Sequence, residues 1–111
     1  MRSSAPFHVT PEVLIDNSLS TRHTVIEVSG LDRPGLLYDL TTAFGKLNLN
    51  IASAHIATFG EKAVDVFYVT DLTGTKVSHP SRQAAIRRAL LQVFERDARD
   101  PAGLVPPARS A

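Results

Sequence analysis

A carboxylate, a guanidinium and a set of backbone amides fall together in the run Gly30-Leu31-Asp32-Arg33-Pro34-Gly35-Leu36-Leu37, where the pattern of a strand gives way to that of a helix. At a helix N-terminus the amides of Gly35, Leu36 and Leu37 have no partner inside the helix, and they favour an anionic group. Asp32 just ahead of them suits a cation. A molecule with both charges a few ångströms apart, such as a free amino acid, fits that pair better than a plain phosphate does. The same residues also satisfy a purely structural reading. Asp32 is in reach of a capping role, Pro34 suits a first helical turn, and glycine and proline serve tight turns by geometry alone. Gly35 is open to two accounts, close approach of a ligand to bare backbone or dihedral freedom.

Elsewhere the residues able to do chemistry are scattered. His55 is a lone histidine in mid-strand, and His8, His23 and His79 are isolated; none stands at a metal-ligand spacing from another candidate ligand. Asp65 is a charge inside an apolar strand, with Lys62, an arginine of the last helix or a partner chain as candidate neighbours. Arg82, Arg87, Arg88 and Arg96 read as the solvated face of a helix. The chain holds no G-x-S-x-G elbow, no Walker A loop, no H-E-x-x-H, no His-Asp doublet and no cysteine. No catalytic residue, metal site or cofactor site is expected in it.

The elements that must position the Asp32 loop follow from periodicity. Thr24-Val25-Ile26-Glu27-Val28 has the alternation of a half-buried strand, running from Arg22 to Ser29. A shorter strand over Val13 to Asp16 precedes it across the polar turn Asn17 to Thr21, so the two should form a hairpin. Leu36, Leu40, Phe44 and Leu47 recur at helical spacing, which predicts a helix from Pro34 to Leu47, closed near Asn48 to Asn50 by an asparagine in the left-handed conformation. Ile51 to Phe59 reads as a strand with Ala52, Ala54 and Ile56 on one face, and Gly60-Glu61-Lys62 as a hairpin turn. Ala63 to Thr70 is the strongest strand, apolar on both faces and so in need of cover on both. A link with Gly74 leads to a second helix over Ser81 to Arg96, with Ile86, Ala89, Leu90, Val93 and Phe94 inward. Residues 1–10 read as a flexible N-terminus, 11–96 as one domain, and 97–111, rich in Pro, Ala and Gly, as a disordered tail.

Three pieces together, Asp32-Arg33-Pro34-Gly35-Leu36-Leu37, Asn50-Ile51-Ala52-Ser53-Ala54-His55-Ile56-Ala57-Thr58 and Ala63-Val64-Asp65-Val66-Phe67-Tyr68-Val69-Thr70-Asp71, resemble an ACT domain, a small amino-acid-sensing regulatory module. The resemblance runs from about Val13 to Glu95. It implies a ferredoxin-like α+β fold, one four-stranded antiparallel sheet with two helices on one face. ACT domains usually run β-α-β-β-α-β, whereas the order here is β-β-α-β-β-α, with Leu104-Val105 too short for a last strand. The Val13 to Asp16 strand can fill the vacant edge, being antiparallel to its hairpin partner, so a permuted topology is expected. The resemblance also implies a ligand held at a subunit interface by Asp32, Arg33, Pro34, Gly35, Leu36 and Leu37 of one chain and Asn50, Ile51 and Ala52 of another. In that arrangement Asp32 accepts the α-ammonium, the Gly35 to Leu37 amides hold a carboxylate or side-chain carbonyl, and Asn50 adds a polar contact.

More narrowly, the wording resembles the C-terminal ACT domains of the bacterial PII uridylyltransferase/uridylyl-removing enzymes, which read glutamine. This implies L-glutamine or another amino acid as ligand, a homodimer or a second ACT domain as partner, a cytoplasmic setting and a role in nitrogen regulation. Nucleotidyl-transfer and hydrolytic chemistry, with its Mg2+, would lie in other domains of such an enzyme and not in this chain. Composition agrees without singling this out. Twelve Lys and Arg against 11 Asp and Glu leave a formal charge of +1, which draws the chain to neither nucleic acid nor an anionic membrane, and no apolar run reaches membrane-spanning length. Three other readings share the architecture: an ACT domain that only pairs subunits, an RNA-binding module, and an acylphosphatase-like hydrolase. The second wants stacking aromatics on one sheet face, yet Phe67 and Tyr68 should point to opposite faces. The third has only Arg33 and Asn50 in its favour.

Overall fold

The structure, a computed structural model, describes residues 9–99, with side chains to residue 95. Its order is β1 (Glu12–Asp16), β2 (Thr24–Leu31), α1 (Leu36–Lys46), β3 (Leu49–Phe59), β4 (Lys62–Asp71) and α2 (Pro80–Arg99). The strands form one sheet in the order β1-β2-β4-β3, every neighbouring pair antiparallel. The permuted arrangement is therefore present, with β1 filling the edge beside β2. Of the expected flexible ends, residues 1–8 and 100–111 lie outside the described residues; α2 itself continues to Arg99, past its expected end at Arg96.

The β1–β2 hairpin is set by side chains that take over backbone groups. The Asp16 carboxylate accepts hydrogen bonds from the amides of Ser18 at 2.6 Å and Leu19 at 3.0 Å, turning the chain. Thr24, fully buried, donates to Asn17 Oδ1 at 2.6 Å and accepts from the Val77 amide at 2.8 Å, while Asn17 Nδ2 donates to the Val77 carbonyl at 2.8 Å. This network ties the segment before α2 to the sheet without leaving a buried polar group unpaired.

Alternation along β4 sorts its two faces. Ala63, Asp65, Phe67 and Val69 are buried under the helices, and Val64, Val66 and Tyr68 are half-buried on the opposite, open face. The centre of the core is Phe67 against Phe44 of α1, ring centroids 4.7 Å apart, with Ile26, Leu40, Ile86 and Leu90 around them. At the far end of α2, Phe94 lies flat against Gly30, where an added Cβ would come within 2.5 Å of the ring. On the open face Tyr68 meets His23 and His55 edge-on, at centroid distances of 6.3 and 5.6 Å.

Three element limits differ from the sequence expectation for local reasons. β2 keeps pairing through Gly30 and Leu31, because both have partners on β4 in Ala63 and Lys62. α1 starts at Leu36 and not Pro34, since Gly35 takes a left-handed conformation (φ 81°, ψ −2°) that breaks helical continuity. β3 starts at Leu49, the left-handed residue being Asn48 with φ 59°. A register shift between Ile51 and Ser53 makes Ala52 the extra, unpaired residue of a bulge, and Ile51 takes the place that strict alternation gives to Ala52.

Candidate functional site

The Asp32 loop leaves β2 at the end of the sheet where the β3–β4 hairpin also turns. The Asp32 amide donates to the Glu61 carbonyl at 2.8 Å, which ties loop and hairpin together. The Asp32 side chain is exposed. It caps nothing: α1 has no side-chain cap, so the capping role expected of Asp32 is not taken up. Arg33 folds back over the start of the helix instead, its Nη2 2.7 Å from Asp39 Oδ2 in the first turn and its Nη1 donating to the Pro34 carbonyl at 3.1 Å. Sequence spacing hides this contact, because residues six apart do not meet on a helix and Arg33 reaches Asp39 only from a turn.

The three amides expected to point outward are not equivalent. The Leu36 amide donates to the Arg33 carbonyl at 3.3 Å, closing the turn, while its side chain is buried in the core. Its amide is thus removed from the expected set. The amides of Gly35, Leu37 and Tyr38 make no hydrogen bond among the described residues. For Gly35, an added Cβ would meet only Arg33 Nη1, at an ordinary 3.5 Å, but would sit at φ 81°. The chain's own structure therefore asks for glycine through its dihedral angle. Leu31, Leu37 and Tyr38 leave an apolar rim exposed around the amides.

Asn50, Ile51 and Ala52 lie at the opposite end of the sheet. Leu31 pairs with Lys62 at the loop end of β4, whereas Asn50 pairs with Thr70 at the other. The intervening stretch of β4 spans about 27 Å at a strand rise of about 3.4 Å per residue. One chain does not bring the two halves of the expected site together. Asn50 and Ala52 are exposed, on an edge strand, and Ile51 is half-buried.

Asp65, left open by sequence, faces the helix layer. It is 2 % exposed, and its Oδ1 has no hydrogen-bond partner among the described residues. Lys62 points to the other face, and no ion pair to Asp65 forms among the described residues. Its carboxyl is held above the ordinary carboxylate range, chiefly by burial; the Ala57 backbone pulls it down, and the Asp32 carboxylate pushes it up. Of the arginine cluster, Arg82 is no bystander. Its Nη2 donates to the Leu47 carbonyl at 2.7 Å, closing the C-terminus of α1 beside a shallow groove of about 500 Å³ that Lys46, Asp71 and Thr73 also line. Arg87 Nε likewise donates to the Val13 carbonyl at 3.3 Å on β1.

The profile of the ACT domain family matches residues 24–94. The chain belongs to the ACT domain family. Within it, the chain is 66 % identical over 98 residues to the bifunctional uridylyltransferase/uridylyl-removing enzyme of Bradyrhizobium diazoefficiens, covering 87 % of this chain and 10 % of that enzyme. It is 71 % identical over 88 residues to the enzyme of the same name from Rhodopseudomonas palustris, covering 79 % of this chain and 10 % of that one. The chain spans about a tenth of the length of these curated relatives. A solved structure of an unknown protein from Galdieria sulphuraria is 25 % identical, with a TM-score of 0.46 over 60 % of this chain and 37 % of that one. No helix among the described residues is long and apolar enough to cross a membrane.

Proposed function

We propose that this ACT domain is a regulatory, non-catalytic part of a uridylyltransferase/uridylyl-removing enzyme in bacterial nitrogen control, binding L-glutamine between two ACT domains in the cytoplasm. The observation that carries the reading is the placement of two half-sites at opposite ends of an unguarded edge strand. β3 has no Asp, Glu, Lys, Arg or Pro in its 11 residues, whereas the other edge, β1, has only 5 residues and is acidic at both ends. Edge strands are ordinarily guarded by charge, proline or shortness, and a long unguarded one is ready to pair. Two copies joined antiparallel along β3 set the Asn50 end of each against the Phe59 end of the other, the end that carries the Asp32 loop.

Each such pair assembles two sites. Asp32 takes the ligand's ammonium, the Gly35 and Leu37 amides take its carboxylate, and Asn50 with the Ala52 bulge reaches in from the partner. A companion ACT domain in a longer chain can stand in for a second copy. Backbone amides and a carboxylate grip any α-amino acid, so the choice of L-glutamine rests on the resemblance and not on the loop. A ligand shared by two domains stabilises the paired state over the separated one, by no more than its difference in affinity for the two. That difference is the signal passed to catalytic domains elsewhere in the enzyme, where the Mg2+ chemistry resides.

Thermal unfolding with L-glutamine, L-glutamate and glycine in parallel, with the oligomeric state followed by light scattering, tests this reading. A ligand at a hundred times its Kd adds about 2.7 kcal/mol. A rise of the midpoint with L-glutamine alone supports the sensor. A dimer that responds to none of the three supports the second reading, a pairing module, which the same unguarded edge favours.

A further inference from the structure

β4 is apolar on both faces, yet only one face is covered. The helices lie over Ala63, Phe67 and Val69, while Val64, Val66 and Tyr68 look outward from the middle of the sheet. A central strand of this kind calls for cover on both sides. Register gives the open face its grid. Leu14 of β1, Glu27 of β2, Val66 of β4 and His55 of β3 stand in one row across all four strands. Glu27 is half-buried between Leu14 and Val66, and its carboxylate has no hydrogen bond or ion pair among the described residues. His55 is exposed at the far side of the row; its ring meets Tyr68 edge-on and makes no hydrogen bond among the described residues. Charge therefore divides this face across the strands, with Glu12 and Glu27 on the β1–β2 half and Lys62 and His55 on the β4–β3 half.

We propose that the open face packs against the same face of a second copy, about a two-fold axis parallel to the strands. That axis exchanges left and right, so β1 and β2 of one copy lie over β3 and β4 of the other. Each Glu27 carboxylate then accepts an N–H from the imidazole of His55 of the partner subunit, and the contact occurs twice, as an isologous interface requires. An axis perpendicular to the strands lays the acidic half on the acidic half, which like-charge repulsion disfavours. The same carboxylates turn nucleic acid away, since they would face phosphate. Four strands about 4.8 Å apart, each about eight residues long at about 3.4 Å per residue, offer roughly 500 Å² per copy and roughly 1,000 Å² in all, enough for a specific contact of the smaller kind. This surface is separate from the β3 edge and the Asp32 loop, so the inference does not rest on the amino-acid reading.

Pulsed EPR on the full chain tests it. The sequence has no cysteine, so a nitroxide on Leu19→Cys, in the β1–β2 turn outside the face and 70 % exposed, labels one place per copy. An axis parallel to the strands keeps both turns at one end, across a sheet spacing of about 10 Å, and predicts a label separation of about 15–25 Å. Pairing along β3, or face packing about the perpendicular axis, sends the turns to opposite ends, beyond about 30 Å. Glu27→Lys should weaken the short-distance pair about tenfold or more, read from its concentration dependence, and adding His55→Glu, which reverses the charges, should restore it; a folding defect does not give that rescue. Absence of the short distance at roughly 1 mM chain overturns the proposal. So does a Glu27→Lys chain that pairs as wild type does, or a double variant that recovers nothing. A long distance alone refutes the face pair and leaves pairing along β3 standing.

Discussion

Gly30→Ala probes how firmly α2 is seated at the loop end of the sheet. A methyl group there would lie 2.5 Å from Phe94 Cε1 and 2.9 Å from both Cδ1 and Cζ, closer than carbon atoms approach. Phe94 is 8 % exposed and closes the core at that end, so its ring or α2 must shift. Overpacking of this kind costs about 1–3 kcal/mol. Replacing glycine by alanine in a strand returns about 0.5–1 kcal/mol. The net loss is about 0–2.5 kcal/mol, centred near 1 kcal/mol, and for a domain this small each 1 kcal/mol lowers Tm by about 4–8 °C. Calorimetry or urea unfolding followed by circular dichroism measures it directly. Phe94→Leu removes the atoms in conflict, so Gly30→Ala with Phe94→Leu should be less destabilised than the sum of the two single changes by at least about 0.5 kcal/mol. A Gly30→Ala protein that melts with wild type, or strict additivity in the pair, would refute the contact as the cause.

Three further outcomes are expected. Gly35→Ala should cost about 1–2 kcal/mol, the penalty of a side chain in the left-handed region, measured by urea unfolding; loss of ligand affinity without loss of stability would point to close backbone approach instead. Thr24→Val leaves the Val77 amide and Asn17 Oδ1 without their partner, and chemical denaturation should register a loss of about 1–3 kcal/mol although shape and volume are conserved. Asp65 should give stability a slope with pH opposite to that of Asp16 and Asp71, whose carboxyls are lowered by hydrogen bonds, from Ser18 first in one and Thr73 first in the other. The raised Asp65 contributes stability that is complete below the ordinary carboxylate value of 3.8 and is lost as pH rises through its folded value. The lowered pair contribute above 3.8 and lose their effect as pH falls. Urea midpoints of Asp65→Asn should therefore gain on wild type as pH rises from about 4, and equal profiles would show that Asp65 is not buried as described.

The elements were legible because their periods are clean. Leu36, Leu40 and Phe44 mark the buried stripe of α1, and the strand pattern around Ile26 and Phe67 marks the sheet, so element order and the permuted edge strand followed from pattern and resemblance. What stayed hidden depends on pairing and not on pattern. The bulge at Ala52 exists only relative to the register of β4, and no single strand announces it. Arg82 looks like one more solvated arginine until α2 is laid beside the carbonyl end of α1. Asp65 falls, by simple alternation, on the face of Ala63, Phe67 and Val69, yet a charge on a core face contradicts the chemistry of burial. Within the loop, residue types gave the location, but the Arg33 turn decides which amides remain open.

The permuted order also decides which elements flank the Asp32 loop. Glu12, at the start of β1, pairs with Ser29 beside the loop, and α2 climbs past Gly30 at Phe94 before ending at Arg99. In the usual β-α-β-β-α-β order the first strand begins, and the last finishes, at the end of the sheet away from the loop. Here the first described strand begins, and the last described helix finishes, on the loop's own side. A change in the Asp32 loop therefore reaches the start of β1 and the Phe94 end of α2 within a few residues, without first crossing the sheet.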